Sequence, residues 1–141
     1  MAITYTTADE PSDAVASAVD KGLDEYNFSV APSLSEVKSL AASATDDEGK
    51  LIGGAIGRTW GQCCELLELW VAPESRNNGV GSGLLIKFES HARQRGCKLF
   101  YLTTLSYQAP GFYRKHGYGP IASIAGYPNG IVKYLMLKTE A

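Results

Sequence analysis

Between residues 67 and 95 an apolar run, a proline, a polar loop holding two glycines and an amphipathic helical pattern follow one another, and no other stretch restricts the fold so tightly. Leu67, Leu69, Trp70 and Val71 suit a strand, and Pro73 marks the turn that ends it,. The loop then reads Arg76, Asn77, Asn78, Gly79, Val80, Gly81, Ser82. A helix is expected over residues 80–95, with Leu84, Leu85, Phe88 and Ala92 on its buried stripe and Lys87, Glu89, Arg93 and Gln94 outward,. Glu89 and Arg93 stand one turn apart and can pair, and Gly96 supplies the stop,. Gly79 and Gly81 remove side chains where backbone must approach a ligand, and the first N–H groups of a helix have no intrahelical carbonyl to bond,. Those donors, with the positive end of the helix dipole, suit a pyrophosphate, and Arg76 adds a charged fork at the entrance,.

Two nucleotide-binding motifs fail on the letters. A Walker loop ends in Gly-Lys-Ser/Thr, but Gly81 is followed by Ser82 and Gly83,. A dinucleotide fingerprint needs a third glycine three residues after the second, and that position is Leu84,. Thirteen basic against fifteen acidic residues give a net charge of −2, without the basic stripe of a nucleic-acid surface,. The first residues lack a basic start and apolar run, and no stretch approaches eighteen apolar residues, so a soluble, cytoplasmic chain without a membrane segment is expected,. The 141 residues, 45% hydrophobic, suit one domain spanning 1–141,. Cys63, Cys64 and Cys97 cannot all pair and read as reduced core thiols; with His91 and His116 the only histidines and no Cys-x-x-Cys, no metal site is expected,.

In chain order, alternation over residues 2–6 suits a first strand. A helix beginning near Pro11 and Ser12 carries Val15, Ala18, Val19, Leu23 and Tyr26 on one stripe and ends in a polar and aromatic cluster at residues 25–28, with a second short helix around residues 33–37,. Residues 40–45 and 50–60 form a hairpin across a turn at residues 46–49, and Gly53, Gly54 and Gly57 in its second arm mark a bulge or a close backbone approach,. After Gly61 and Gln62, residues 63–72 form a strand apolar on both faces except at Glu65 and Glu68,. Three residues apart, these carboxylates point to opposite faces of a regular strand, a count that a bulge alters,. Residues 98–104 give a strand parallel to the one before the helix, by the right-handed crossover rule,. Residues 119–138 read as two strands about a turn at Tyr127, Pro128, Asn129 and Gly130,.

The second informative segment runs from Thr103 to Tyr118. Pro110 suits the first turn of a short helix, Gly117 its stop, and Ala109, Phe112 and Tyr113 share a face,. Taken together, Val-x-Pro followed by Arg-x-x-Gly-x-Gly, and Ala-x-x-x-Tyr-x-x-x-Gly-Tyr downstream, resemble the GNAT superfamily of acetyl-CoA-dependent N-acetyltransferases.

The resemblance implies a mixed α/β fold: a mostly antiparallel sheet of six to seven strands, splayed between two parallel strands and flanked by about four helices. It implies transfer of an acetyl group from acetyl-CoA to a primary amine, with a small-molecule acceptor expected and a protein or peptide amine, or a non-catalytic acyl-CoA-binding module, as alternatives. Residues 76–82 would hold the pyrophosphate, and the edge of Trp70 and Val71 would align the pantetheine arm. Ala109 and Tyr113 would flank the thioester, with Tyr113 protonating the departing thiolate. Glu68, or else Glu65, would receive the amine's proton, directly or through water. Tyr26 and Phe28 would border the acceptor, and a homodimer is implied. Where many members carry an asparagine for the pantetheine, this chain has Ser106 and Tyr107, and Ser106 can offer a shorter hydrogen bond.

Overall fold

The computed structural model describes residues 1–32 and 36–140, which fall into two compact units, one ending at Leu34 and the other beginning at Ser35. In the first unit the main element is helix α1, Asp13–Val30. Ser12 caps it by accepting from the Val15 N–H at 3.2 Å, and Asp13 places a negative charge in its first turn,. Residues 2–6, expected as a strand, are irregular chain, because alternation over so few residues specifies little without ladder bonds,. The short helix expected at residues 33–37 falls mostly outside the described residues.

The second unit is built on six strands: β1 (Lys38–Thr45), β2 (Leu51–Trp60), β3 (Cys63–Val71), β4 (Leu99–Leu105), β5 (Gly119–Ala125) and β6 (Val132–Thr139). Their order is β1-β2-β3-β4-β6-β5, antiparallel throughout except between β3 and β4. Helix α2 (Val80–Gln94) crosses from β3 to β4, and the short α3 (Pro110–Lys115) leads from β4 to β5. The mixed α/β architecture is the expected one, with six strands, inside the expected six to seven, and three α-helices among the described residues where about four were expected.

α2 lays Leu84, Leu85, Phe88 and Ala92 on one face of the sheet against Ala55, Leu66, Phe100, Leu102 and Met136. Each large apolar side chain so buried contributes about 1.5–3 kcal/mol. Two glycines of β2 permit that approach. A Cβ on Gly57 would stand 2.1 Å from the Glu65 carbonyl oxygen and 2.6 Å from Phe88, and one on Gly53 would stand 2.9 Å from Leu84. Gly54 faces the other way, its nearest contact an ordinary 3.6 Å.

Glu89, expected on the outer face of α2, is 3% exposed. It is tolerated inside because three donors meet it: the Tyr118 hydroxyl at 2.6 Å, Lys138 Nζ at 3.0 Å and, from the next turn, Arg93 at 3.3 Å,. Arg93 also pairs with Glu140, which ties the end of β6 to α2. Cys64 and Cys97 are buried free thiols, but Cys63, expected in the core, is exposed because successive strand residues point to opposite faces,. Burial, with Cys97 and Glu89 nearby, pushes the Cys64 thiol up to about 12.

Candidate active site

The site begins where a ladder stops. β3 and β4 pair in parallel at Cys63 with Leu99, Cys64 with Phe100 and Glu65 with Tyr101, and pair no further. Beyond that point lies a cleft of about 1030 Å³, walled by residues 67–71 of β3, the loop after it, the first turn of α2, the end of β4 and α3. The backbone of β3 supplies polar groups to this gap. Ala72 donates its N–H to the Ile52 carbonyl at 2.8 Å, so alternation along the antiparallel β2–β3 pair turns the N–H and C=O groups of Val71 and Leu69 the other way,.

A bulge in β3 decides the fate of the two glutamates. Ile56 pairs with Glu68 and Gly57 with Leu66, leaving Leu67 as the extra residue,. Cys64 and Leu66 before the bulge, and Leu69 and Val71 after it, share a face with Gly57, Ala55 and Gly53, toward α2. Glu65 and Glu68 therefore stand on the same face, not on opposite faces as a regular strand would give. Their surroundings still differ. Glu68 lines the cleft. Glu65 lies in a separate hollow of about 380 Å³ with Arg58 and Tyr101, and accepts from Arg58 Nε and Nη2, each at 2.9 Å.

At the other end of the cleft the backbone turns through two left-handed residues, Asn77 at φ 65° and Gly79 at φ 77°, positions suited to asparagine and glycine,. The first intrahelical bond of α2 runs from the Gly83 N–H to the Gly79 carbonyl, so the N–H groups of Val80, Gly81 and Ser82 have no intrahelical partner,. A Cβ on Gly79 would meet nothing within 4 Å, which leaves open space beside the loop. Arg76 donates Nε to the Val71 carbonyl at 2.9 Å, clamping the loop to the end of β3 while its remaining guanidinium donors stay available,. The charged side chains around the cleft are Arg76 and Lys115 against one carboxylate, Glu68, which favours an anion at the loop end. Of the expected loop residues, Asn78 alone does not line the cleft.

α3 brings the remaining groups. Tyr113 lines the cleft yet is 8% exposed, its ring edge-on to Phe112 at 5.2 Å and to Tyr118 at 5.9 Å. Burial disfavours the phenolate and holds the hydroxyl above the ordinary tyrosine range, so it stays a proton donor at neutral pH,. Ala109 lies beside it at the start of the helix. Ser106 is engaged elsewhere: its N–H donates to the Val132 carbonyl at 2.8 Å and its Oγ accepts from the Val132 N–H at 3.0 Å. Gln108 lines the cleft instead, with its Oε1 accepting the Leu105 N–H at 2.8 Å. His116, named in the sequence analysis only in setting a metal site aside, also lines the cleft, with Nε2 2.9 Å from Ser82 Oγ. Neither residue was legible as a site residue, because each depends on the β4–α3 turn facing the α2 loop across the cleft. Tyr26 and Phe28 lie on α1, in the first unit.

Comparison with known proteins identifies the family. The model of the acetyltransferase (GNAT) family matches residues 11–118. A blasticidin-S acetyltransferase of Streptomyces morookaense is 39% identical over 99 residues, covering 70% of this chain and 73% of that protein. An acetyltransferase of Bacillus cereus superposes with a TM-score of 0.82 at 27% identity, over 96% of this chain and 98% of its own. A Bacillus anthracis protein described as a candidate streptothricin acetyltransferase, in complex with acetyl coenzyme A, shares the fold at a TM-score of 0.66 and 18% identity, over 74% of this chain and 64% of its own. With the family model matching residues 11–118 and a named acetyltransferase 39% identical over most of its length, the chain belongs to the GNAT family of acetyltransferases.

Proposed function

We propose that this acetyltransferase moves an acetyl group from acetyl-CoA to the primary amine of a small molecule, within a ternary complex and with residues 1–141 acting as one transferase domain. The observation that carries the reading is the cleft opened where the β3–β4 ladder ends, with amide donors and Arg76 at one end and Glu68 and Tyr113 along it. The thioester supplies the activated acetyl group. The N–H groups at residues 80–82, with Arg76 and Asn77, hold the pyrophosphate; the Val71 edge beside Trp70 aligns the pantetheine amides and polarises the acetyl carbonyl. Gln108 takes the position expected of Ser106. Its carbonyl oxygen is occupied by the Leu105 N–H, which leaves its amide hydrogens for a pantetheine carbonyl,.

Glu68 accepts the amine's proton, directly or through a water, and Tyr113 returns a proton to the departing sulfur. Glu65, already paired with Arg58, is less suited to that task. Holding both reactants in line supplies much of the rate, because a bimolecular encounter becomes an intramolecular one. We further infer that blasticidin S is among the acceptors, on the strength of the blasticidin-S acetyltransferase relative, and that the enzyme works in the cytoplasm as a homodimer.

The test is thiol release from acetyl-CoA with an amine panel that includes blasticidin S, with the acetylated product identified by mass spectrometry. Release with a free amine supports the reading. Labelled acetyl groups appearing on proteins alone would favour a protein acetyltransferase, and tight CoA binding without release would favour a binding module.

A further inference from the structure

His116 closes α3, its N–H bonded to the Tyr113 carbonyl at 3.0 Å, and its ring packs on Phe112 at a centroid distance of 4.8 Å, tilted by 52°. Phe112 is itself fitted against the loop, since a Cβ on Gly81 would lie 3.5 Å from its ring. The imidazole is thereby held with Nε2 2.9 Å from Ser82 Oγ, in the first turn of α2, and both residues are half-buried and line the cleft. A hydroxyl bonded to an imidazole nitrogen can take either role. If Nε2 is bare, the serine donates its hydrogen to the ring and offers only lone pairs to a ligand. If Nε2 carries hydrogen, the ring donates to Oγ and the serine hydrogen is free to point elsewhere. A phosphate oxygen accepts and cannot donate, so a bound phosphate selects the second arrangement.

We propose that His116 and Ser82 form one hydrogen-bonding unit on the phosphates of the cofactor, in which His116 donates through Nε2–H to Ser82 Oγ and so turns the serine hydroxyl hydrogen onto a phosphate oxygen. This rests on the acetyl-CoA reading above and adds a positioning residue to it. The α2 amides give fixed donors, and the pair adds a donor whose direction is set from the opposite wall of the cleft.

Three variants test it against acetyl-CoA and against acetyl-pantetheine, which has the thioester and arm but no phosphates. His116→Phe keeps the ring on Phe112 without a donor, His116→Gln offers an amide N–H near the Nε2 position, and Ser82→Ala removes the relayed hydroxyl. The expected result is a loss of about tenfold in calorimetric acetyl-CoA affinity for His116→Phe and for Ser82→Ala, no further loss in the double variant, and recovery to within about threefold in His116→Gln, in line with members of one network being non-additive. The preference in kcat/KM for acetyl-CoA over acetyl-pantetheine should fall by the same factor. Parent-like affinity in His116→Phe, losses that multiply in the double variant, or an unchanged preference would overturn the proposal while leaving the transferase reading intact. A parent protein that binds no acetyl-CoA would overturn both.

Discussion

The two ends of the β3–β4 pair are built from the same neighbouring strands and do opposite things. At the closed end three residue pairs join the strands, Cys64 and Phe100 are buried between sheet and α2, and the Glu65 carboxylate is held by Arg58. At the open end no ladder joins them, the N–H groups of Leu69 and Val71 and the Leu69 C=O turn into a cleft while the Val71 C=O accepts from Arg76, and Glu68 lines the cleft wall. The bulge at Leu67 stands at the transition. One end satisfies its polar groups inside the protein and contributes stability; the other leaves them for a ligand. Unspent hydrogen bonds, rather than any single residue type, distinguish the functional end.

The strongest way to break this contrast is to fill the open end. Gly79→Trp puts an indole into the space where a Cβ meets no neighbour, so it should block acetyl-CoA by more than about 100-fold in calorimetric affinity while the core, which does not touch Gly79, stays folded. The strain at φ 77° adds about 1 kcal/mol of instability, too little to unfold an ordinary domain,. Parent-like affinity would remove the loop from the binding site. Next in size is Glu68→Gln, which keeps shape and removes the proton acceptor: kcat should fall about 100-fold with acetyl-CoA affinity unchanged, the lower range for loss of a general base. A kcat within a factor of three of the parent would assign the proton to solvent.

Much of this layout was legible in the letters, and the gaps have physical causes. Gly79 and Gly117 signal left-handed backbone that few other residues tolerate, and Pro110 suits a first helical turn, so the loop, the start of α2 and the start and stop of α3 could be placed. The hairpin β1–β2 was legible for the same reason. Glu89 was misplaced because charge suggests solvent, and the partners that make its burial tolerable, Tyr118 and Lys138, come from residues 29 and 49 positions away. Ser106 was expected at the cleft and Gln108 was not, because spacing along the chain says nothing of which hydroxyl β6 will occupy. The common face of Glu65 and Glu68 follows from one extra residue at Leu67, a bulge no periodicity reveals.

The closed end can be attacked through its packing. Gly57→Ala places a methyl 2.1 Å from the Glu65 carbonyl oxygen, and overpacking of this kind costs about 1–3 kcal/mol, or roughly thirtyfold in the folding equilibrium at the midpoint,. Urea denaturation should show a lower midpoint with an unchanged slope, and parent-like stability would mean that β3 can shift away. Tyr113→Phe is a smaller, chemical change at the open end. Turnover should fall about tenfold with acetyl-CoA affinity nearly intact, since the ring packing is kept. The sign of the pH effect follows from burial: the phenol is held above its ordinary value of about 10, so Tyr113 stays protonated through pH 9,. The deficit of Tyr113→Phe should therefore be constant from pH 6 to 9. A deficit that vanished as pH rose within that range would show that the acid titrates lower and is another group.

The smallest effect belongs to Glu65→Gln, and its smallness is the point. Glu65 and Glu68 share a strand, a face and a chemistry, so any model in which a carboxylate on β3 suffices predicts comparable losses for both. Here the guanidinium of Arg58 accounts for the difference: Nε and Nη2 both reach one oxygen of Glu65. A glutamine at that position keeps an oxygen for Arg58 and loses only a partly exposed ion pair, worth about 0–1 kcal/mol. Its kcat should stay within a factor of three, against the hundredfold loss for Glu68→Gln, with unchanged acetyl-CoA affinity. Equal losses from the two substitutions would mean that the proton leaves along the shared face of β3 rather than inside the cleft, and the division between a closed, structural end and an open, reactive one would have to be redrawn around both carboxylates.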